Sequence, residues 1–257
     1  MIPHSYLTRI ADTQDVDART VERDYVLTHV LAAIGRQPGS HGMIFKGGTA
    51  LRLCYFEGYR YSADLDFSLQ ADANPAGALE AVTAALGELA QRIGFPHLTV
   101  AQDGKHIEYV GPLGKQRDFK LDVATDELVE ETATLPLFAR YPDQPEVEVE
   151  AYTLPEIAAE KLRCVIQRLQ ARDLFDLNEL FAIHTLDLDE IWPMFESKAL
   201  HKNIDPERFN ETFEQRMPQW KSRWEREMSE HLAGEPEPFK AVERRVRRAL
   251  RSKLRGN

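Results

Sequence analysis

Two glycines stand between a strand-like apolar segment and a helix-like apolar segment, and this junction restricts the fold most. The residues "MIF" at 43–45 predict a short buried strand, and "TALRLCYF" predicts a helix that begins directly after the glycines. Glycine has no side chain, so a glycine turn at the start of a helix allows phosphate to approach backbone N–H groups. The junction therefore predicts a phosphate-binding turn formed by Gly47, Gly48 and Thr49.

A second short segment, "DLDFSL", contains two aspartates one residue apart. Its alternation predicts a strand that turns Asp64 and Asp66 to one face and the apolar residues to the core. Adjacent carboxylates repel each other unless a cation lies between them, and Mg²⁺ commonly binds one or two carboxylates together with substrate phosphates. The later segment "FKLDVA" predicts a strand with Asp122 on its polar face. We therefore expect Asp64, Asp66 and Asp122 to form a metal site.

Strand patterns and helix patterns fall in different parts of the chain. Up to residue 152, helices are predicted at 17–35 and 75–94, between strands whose hairpin signals favour a mixed or antiparallel sheet. From the capping box "TLPE" onward, every pattern is helical. The 257 residues therefore predict an α+β class, with an α+β domain over 1–152 and a helical domain over 153–257.

The helical part divides into several predicted segments. A helix after the capping box is expected to reach about Gln170. Further helices are expected near 174–183, 187–199, 206–216 and 219–232. The break "GEPEPF" separates them from a basic C-terminal helix.

This C-terminal segment, residues 240–257, carries eight Lys or Arg and one Glu, although the whole chain has a net charge of −10. Val242, Val246, Ala249 and Leu250 recur at helical spacing and predict an amphipathic helix. We interpret its charges as a solvated face, with a polyanionic partner as the alternative.

The sequence carries no sign of export or membrane insertion. No apolar run approaches the ~18 residues of a membrane span, and the N-terminus lacks a basic segment followed by an apolar one. The two cysteines, Cys54 and Cys164, are interpreted as core residues rather than as a disulfide framework. These features predict a cytoplasmic protein with no membrane partner.

Gly-Gly-Thr, then Asp-x-Asp between apolar residues, then a lone Asp between apolar residues resembles the DNA polymerase β nucleotidyltransferase superfamily. The fuller segments "KGGTALR", "YSADLDF" and "AAEKLRCVIQRLQARDLFDL" are similar to the AbiEii/AbiGii family. These are the toxins of type IV toxin–antitoxin and abortive-infection systems, including the MenT group. The resemblance spans roughly residues 20–180. It implies a polymerase β-like nucleotidyltransferase domain followed by helices.

The helix after the capping box carries the basic residues of this resemblance. At about 100° per residue, Lys161, Arg168 and Arg172 fall on one side of a continuous helix, which predicts a cationic face for a triphosphate or an RNA backbone. The resemblance implies that Lys161 is the motif lysine that contacts nucleotide phosphate. It also implies a late motif acid, which is either Asp176 or Asp173.

The resemblance implies a Mg²⁺-dependent toxin, with Mn²⁺ as the alternative ion, that transfers a nucleoside monophosphate from a nucleoside triphosphate. The implied acceptor is RNA, with the 3′ end of tRNA favoured, and the implied partner is a cognate antitoxin. Two alternatives remain. "DLDFS" resembles the start of a haloacid-dehalogenase phosphatase, although that motif normally ends the first strand of a parallel sheet. The other alternative is a non-catalytic RNA- or partner-binding protein with a degenerate site.

Ser62 precedes Asp64 by two residues, so its side chain shares the carboxylate face if the strand already begins there. It is therefore a candidate phosphate-binding residue. In the resembled family, a Ser or Thr at this position is phosphorylated by a partner antitoxin, which implies that phosphate on Ser62 repels incoming nucleotide. Local hydrogen bonding is the alternative role of Ser62. Arg60 is a candidate partner of Asp64 or of a phosphate.

Overall fold

The computed structural model describes residues 1–40 and 42–254, which form two compact units. The first unit comprises Met1–Asp126 and Thr132–Tyr152. The second comprises Glu127–Glu131 and the chain from Thr153 onward. Glu127–Glu131 thus belongs to the second unit although it precedes residue 152. The predicted division into folding domains at that residue stays a prediction.

The first unit is built on a sheet of seven strands, in the order β3-β4-β5-β2-β1-β7-β6 among the described residues. The strands are Met43–Lys46 (β1), Leu65–Leu69 (β2), His97–Val100 (β3), His106–Val110 (β4), Gln116–Ala124 (β5), Thr132–Pro136 (β6) and Glu148–Tyr152 (β7). β2 runs parallel to β5, and β1 runs parallel to β7. The remaining neighbours are antiparallel. The predicted α+β class with a mixed sheet is confirmed.

The sheet is packed against helices whose apolar residues are buried. The helices of this unit are His4–Gln14 (α1), Ala18–Gly35 (α2), Gly47–Ala50 (α3) and Pro75–Ile93 (α4), with a π-helical turn at Leu51–Tyr55 directly after α3 and a 3-10 turn at Pro38–Ser40. α2 contacts α1, α4 and β7, and it buries five apolar residues: Val26, Leu27, Val30, Leu31 and Ile34. Gly94 ends α4 in a left-handed conformation, φ 81°, which glycine adopts without steric cost.

The second unit is helical. Its helices are Leu154–Gln167 (α5), Ala171–Leu177 (α6), Leu188–His201 (α7), Phe209–Ser229 (α8), Phe239–Ala249 (α9) and Arg251–Leu254 (α10), with a π-helical turn at Asn178–Ile183 and a 3-10 turn at Pro206–Arg208. Thr153 caps α5 by accepting a hydrogen bond from the Glu156 N–H, and Pro155 lies in the first turn. Of the two hydrogen bonds of a capping box, the one from the Glu156 N–H to the Thr153 side chain is therefore present.

The helix after the capping box is shorter than predicted. α5 ends at Gln167, and Arg168 has an extended conformation at φ −141° and ψ 166°. The Arg216 guanidinium donates to the carbonyl oxygens of Val165 and Arg168, which satisfies acceptors that further helical turns would have used. The prediction of one helix to about Gln170 is wrong because a side chain from α8 binds these carbonyls.

Two predicted helices, 206–216 and 219–232, are one helix. α8 continues through Pro218, where the sequence predicts a break because proline lacks an N–H group. Four large side chains on one face of α8 stay buried across the proline: Phe213, Met217, Trp220 and Trp224. Burial of this stripe maintains the helix through Pro218. Two other elements, α1 and β6, have no counterpart in the sequence predictions.

The order of strands also bears on the phosphatase alternative. β2, which carries the Asp-x-Asp motif, is antiparallel to β1 and parallel to β5. A haloacid-dehalogenase motif would require a parallel sheet, so the mixed sheet argues against that alternative. In the described residues, no helix has both the length and the apolar character needed to cross a membrane.

Candidate active site

The turn between β1 and α3 requires glycine for two reasons. Gly47 has φ 77°, in the left-handed region that side chains disfavour. A Cβ at Gly47 would also lie 2.8 Å from Oδ2 of Asp66. The glycine turn and the Asp66 carboxylate of β2 therefore lie close together. A phosphate bound at the turn and a metal ion bound at the carboxylates would have to be neighbours in the same way.

Arg60 lies over the second glycine. A Cβ at Gly48 would overlap the Arg60 guanidinium, whose Cζ would be 3.1 Å away. Arg60 is 2% exposed, and its Nη1 donates to the Tyr61 carbonyl at 3.2 Å. A buried positive charge thus lies at the predicted phosphate turn. The sequence indicated Arg60 only as one candidate for this role.

Thr49 connects the turn to the first aspartate of the motif. Its buried hydroxyl donates to the Asp64 carbonyl oxygen at 2.6 Å. This bond spans 15 residues and fixes the backbone where the chain enters β2. The hydroxyl proton of Thr49 is therefore engaged with Asp64, while a direct contact of Thr49 with phosphate stays a prediction.

The two later aspartates lie side by side. Asp66 of β2 is in register with Asp122 of the parallel strand β5 and, on the other side, with Lys46 of β1. Asp64 comes one residue before β2 begins at Leu65 and is half-buried. The strand prediction therefore started one residue early, and the backbone bond from Thr49 positions Asp64 instead.

Lys120 lies among these carboxylates. Its Nζ is 2.8 Å from Oδ2 of Asp122. The hydrogen bond that Lys120 donates to Asp122, together with the negative charges of Asp122, Asp66 and Asp64, outweighs partial burial and raises the pKa of Lys120 above its ordinary value. One ammonium group is thus within electrostatic reach of all three predicted metal ligands, which indicates that the three carboxylates share one region of space.

The donor set fits a hard divalent cation. Its carboxylates project from or just before neighbouring strands, and Mg²⁺ prefers such oxygen ligands. Across residues 1–40 and 42–254, no three His, Cys, Asp or Glu side chains are already arranged around one metal position. The Lys120–Asp122 pair is about half exposed, with side-chain exposures of 47% and 51%. Such a pair contributes about 0–1 kcal/mol, so breaking it would cost little free energy.

Lys46 is a neighbour of the site that the sequence analysis did not include. It is 7% exposed, ends β1 immediately before Gly47, and lies beside Asp66 in the sheet. Its ammonium lies 5.6 Å from the centre of the Tyr152 ring. A lysine directly before the glycine pair was the available signal, since β1 and β2 were both predicted as strands.

In the second unit, the predicted lysine and both candidate acids form a buried cluster. Lys161 Nζ is 2.6 Å from Asp176 and 3.3 Å from Asp173. Burial opposes the charge on Lys161, but Asp176 and Asp173 outweigh it and raise the pKa of the ammonium. Burial likewise opposes the Asp173 charge, yet Lys161 and Arg168 hold the pKa of that carboxyl below its ordinary value.

The predicted cationic face of one continuous helix is wrong. Lys161 lies on α5, Arg168 follows the end of that helix, and Arg172 lies on α6. Arg168 donates two hydrogen bonds of 2.9 Å to Asp173, and Arg172 donates one of 2.8 Å to Gln170. The basic residues are thus engaged with acceptors of their own unit rather than aligned along one face.

Ser62 is buried and lies three residues before β2. The condition for its side chain to share the carboxylate face, a strand that begins at Ser62, is therefore not met. Ser62 is 6% exposed, so a modifying partner requires local opening of the segment before β2. Its predicted phosphate-binding and regulatory roles stay predictions.

Comparisons with known proteins identify the family and the fold of the chain. A family model described as "Nucleotidyl transferase AbiEii toxin, Type IV TA system" matches residues 29–252. Among solved structures, MenT4, a nucleotidyltransferase toxin from Mycobacterium tuberculosis, has a TM-score of 0.75 and 22% identity, with 100% of this chain and 91% of that chain covered. That likeness shows a shared fold.

A second structure is an antigenic nucleotidyltransferase-like protein from Paracoccidioides brasiliensis. It has a TM-score of 0.38 and 15% identity, with 68% of this chain and 88% of that chain covered, and this likeness is too weak to support an argument. No match was found among curated proteins.

Proposed function

Because the chain belongs to the AbiEii family of nucleotidyltransferase toxins of type IV toxin–antitoxin systems, we propose that it transfers a nucleoside monophosphate to the 3′ end of tRNA with Mg²⁺. The observation that carries this proposal is the neighbouring pair of Asp66 and Asp122 beside the glycine turn. Paired carboxylates next to an anion-binding turn suit a reaction on a metal-bound polyphosphate. We assign the reaction to the cytoplasm.

In this proposal, Asp64, Asp66 and Asp122 hold Mg²⁺. A divalent ion held there would supply positive charge that stabilises the negative charge developing on the phosphate. Thr49 contributes through the bond that fixes the Asp64 backbone, and Gly47 contributes the space that the Asp66 carboxylate occupies. The turn thus supports the acids as well as the phosphates.

The triphosphate lies along the turn of Gly47 and Gly48 in the same proposal. Arg60 supports this assignment because its guanidinium lies against Gly48 and is buried, and a guanidinium binds phosphate oxygens through two parallel hydrogen bonds. Buried cations have a larger effect on bound anions than exposed ones, since water screens them less.

The reaction is an in-line displacement. The acceptor hydroxyl oxygen forms a bond to the α-phosphorus, the bond from that phosphorus to the leaving pyrophosphate breaks, and the hydroxyl proton passes to solvent water. Asp122 is about half exposed, unlike Asp66, so we assign it to the side of the site that faces the acceptor.

Asp122→Asn tests this assignment against a matched control. Asp118→Asn changes another exposed acid of β5, four residues away on the same face. We expect Asp122→Asn to lower the rate of label transfer from nucleotide to tRNA by about 10² or more, as for other groups that act on developing charge. Asp118→Asn should keep the wild-type rate. Equal rates in both variants would remove Asp122 from the mechanism.

Lys161 is proposed to contact the triphosphate, with Asp173 and Asp176 holding its ammonium in position. Two carboxylates at 2.6 and 3.3 Å support the positioning part of this proposal. Lys161→Arg keeps the positive charge. We therefore expect this variant to lose little stability and to have a clearly higher KM for nucleotide. An unchanged KM in a folded Lys161→Arg variant would assign Lys161 to the cluster alone.

The family implies an antitoxin partner, and the proposal extends to its mode of action at Ser62. A phosphate on Ser62 adds a charge of about −1.5 to −2 two residues before Asp64 and repels the incoming triphosphate. Relative to its own transfer rate without a partner, Ser62→Ala should resist neutralisation when the product of the adjacent reading frame is co-expressed. A neutralised wild-type protein whose peptide masses contain no phosphate at Ser62 would exclude this mode.

A further inference from the structure

The terminal helices α9 and α10 bury one face and expose another. Phe239, Val242, Val246 and Leu250 are buried. The backbone bonds Leu250 N–H to Val246 and Leu254 N–H to Leu250 continue the helical path from α9 into α10. The residues from 239 to 254 therefore present one continuous helical surface opposite a packed apolar face.

Three of the basic residues in this segment are bound to acids of the same unit. Arg245 pairs with Glu237, Arg247 pairs with Glu214 and Glu243, and Lys253 lies 3.0 Å from Asp189. Lys253 also lies over the Trp192 ring, 5.1 Å from its centre. The positive charge of these three residues is therefore largely used in holding α9 and α10 against the unit.

Four other basic residues are exposed and share one side of the helix: Lys240, Arg244, Arg248 and Arg251. We call this set the basic stripe. Within the described residues, none of the four has an ion-pair partner. Their spacing of four, four and three residues keeps them within about 80° of one another and spreads them over roughly 16 Å of helix. The stripe is thus a row of four exposed positive charges at regular intervals along the helix.

The surroundings of the stripe favour a phosphate backbone over other polyanionic partners. A protein partner would be expected to meet an apolar core at its interface, and an interfacial membrane helix inserts its apolar face. Here the apolar face is buried. The exposed large apolar residues of the described chain, Met1, Leu79, Ile183 and Leu200, lie on other elements. Three of the four cations are arginines, which bind phosphate through two parallel hydrogen bonds.

We propose that the basic stripe binds the phosphate backbone of the RNA acceptor. This inference rests on the proposed function for the acceptor being RNA. The charge distribution gives the stripe a directing role, because residues 240–257 carry a net charge of +7 within a chain of −10. RNA is repelled by the acidic remainder and attracted to the stripe, so the stripe selects one approach of the acceptor.

The test replaces all four cations by glutamine, in Lys240→Gln/Arg244→Gln/Arg248→Gln/Arg251→Gln. A matched control makes the same change in net charge at four exposed cations elsewhere, in Arg36→Gln/Arg92→Gln/Lys115→Gln/Lys221→Gln. Circular dichroism and tryptophan fluorescence establish that both variants are folded. Binding of fluorescently labelled deacylated tRNA is then measured by anisotropy between about 50 and 200 mM salt, the range in which counterion release dominates.

Each phosphate contact contributes about −0.7 to −0.9 to the slope of log affinity against log salt. Loss of four contacts should therefore make the slope shallower by about 3, and the affinity advantage of the wild type should shrink by about 60-fold across this salt range. The control should keep the wild-type slope. Equal slopes in the stripe variant and the control would overturn the proposal, and so would a wild type that prefers polyglutamate to RNA of equal charge.

Transfer kinetics separate this outcome from failure of the proposed function. If the wild type labels tRNA and the stripe variant has a higher KM for tRNA at an unchanged KM for nucleotide, both proposals hold. If the two variants share one KM for tRNA, the stripe proposal fails alone. If the wild type labels a protein hydroxyl and never RNA, the proposed acceptor fails, and the stripe proposal fails with it.

Discussion

Replacing Lys161 by methionine should strongly destabilise the helical unit. The side chain of Lys161 is 6% exposed, and its ammonium contacts Asp176 at 2.6 Å and Asp173 at 3.3 Å. Methionine keeps the apolar stem and removes the charge. Asp173 retains two 2.9 Å bonds from Arg168, and both carboxylates lose the ammonium. Removing one partner from a buried ion pair typically costs about 3–5 kcal/mol, and we expect a value in this range.

Tryptophan fluorescence measures the relevant unit directly. The chain has three tryptophans, Trp192, Trp220 and Trp224, and all belong to the second unit. In urea, a loss of this size moves the unfolding midpoint by about 2 M at a typical slope of about 2 kcal/mol per M. The exposed control Lys221→Met should change stability by no more than about 0.5 kcal/mol.

A double variant separates lost charge balance from lost packing. Lys161→Met/Asp176→Leu removes both partners, and apolar replacements of a buried pair are often neutral or stabilising. We therefore expect the double variant to recover most of the stability that Lys161→Met loses. A Lys161→Met protein within about 0.5 kcal/mol of the wild type at an unchanged slope would refute the reasoning, because the charge cluster would then contribute nothing measurable.

Three further predictions concern the turn, the carboxylates and pH. Gly47→Ala should destabilise the first unit by more than 1 kcal/mol and lower the transfer rate, because its Cβ would meet the Asp66 carboxylate. The control Gly87→Ala lies inside α4 with open space around the new Cβ, and it should stabilise the unit by about 1 kcal/mol. Thermal unfolding compares the two variants. Lys120→Met should tighten Mn²⁺ binding in calorimetry, and weaker binding would show that Lys120 does not compete with the ion. The lowered pKa of Asp173 contributes stability that is present above its unfolded pKa and is lost as pH falls through its folded pKa; urea midpoints followed by fluorescence should decline in that acid range, and less so in Asp173→Asn.

Much of the first unit was predictable because its signals are local. Gly47 announces a turn, "DLDFSL" alternates with period two, and Gly94 closes a helix. Period-two alternation also predicted Asp122 on the polar face of β5. Its register beside Asp66 was not predictable, since pairing of β2 with β5 joins segments more than fifty residues apart. The residues of neither segment indicate which strand will pair with it.

The less predictable features depend on distant side chains. Arg216 binds the carbonyls at the end of α5, where the helix stops, so Arg168 does not lie on the same helix as Lys161. Periodicity within one helix contains no information about such a partner. Similarly, the position of the Arg60 guanidinium against Gly48 depends on how the loop before β2 folds back, and Lys46 lies beside Asp66 only because β1 pairs with β2.

The most direct test of the central claim follows two labels in one reaction. The wild-type protein is incubated with Mg²⁺, total RNA and each nucleoside triphosphate, labelled either at the α phosphate or at the γ phosphate. Nucleotidyl transfer predicts that the α label enters RNA and that the γ label leaves as pyrophosphate, and Asp66→Asn should abolish both events. Transfer of the γ label to RNA, or its release as free phosphate, would contradict a nucleotidyltransferase and indicate phosphoryl transfer or hydrolysis instead.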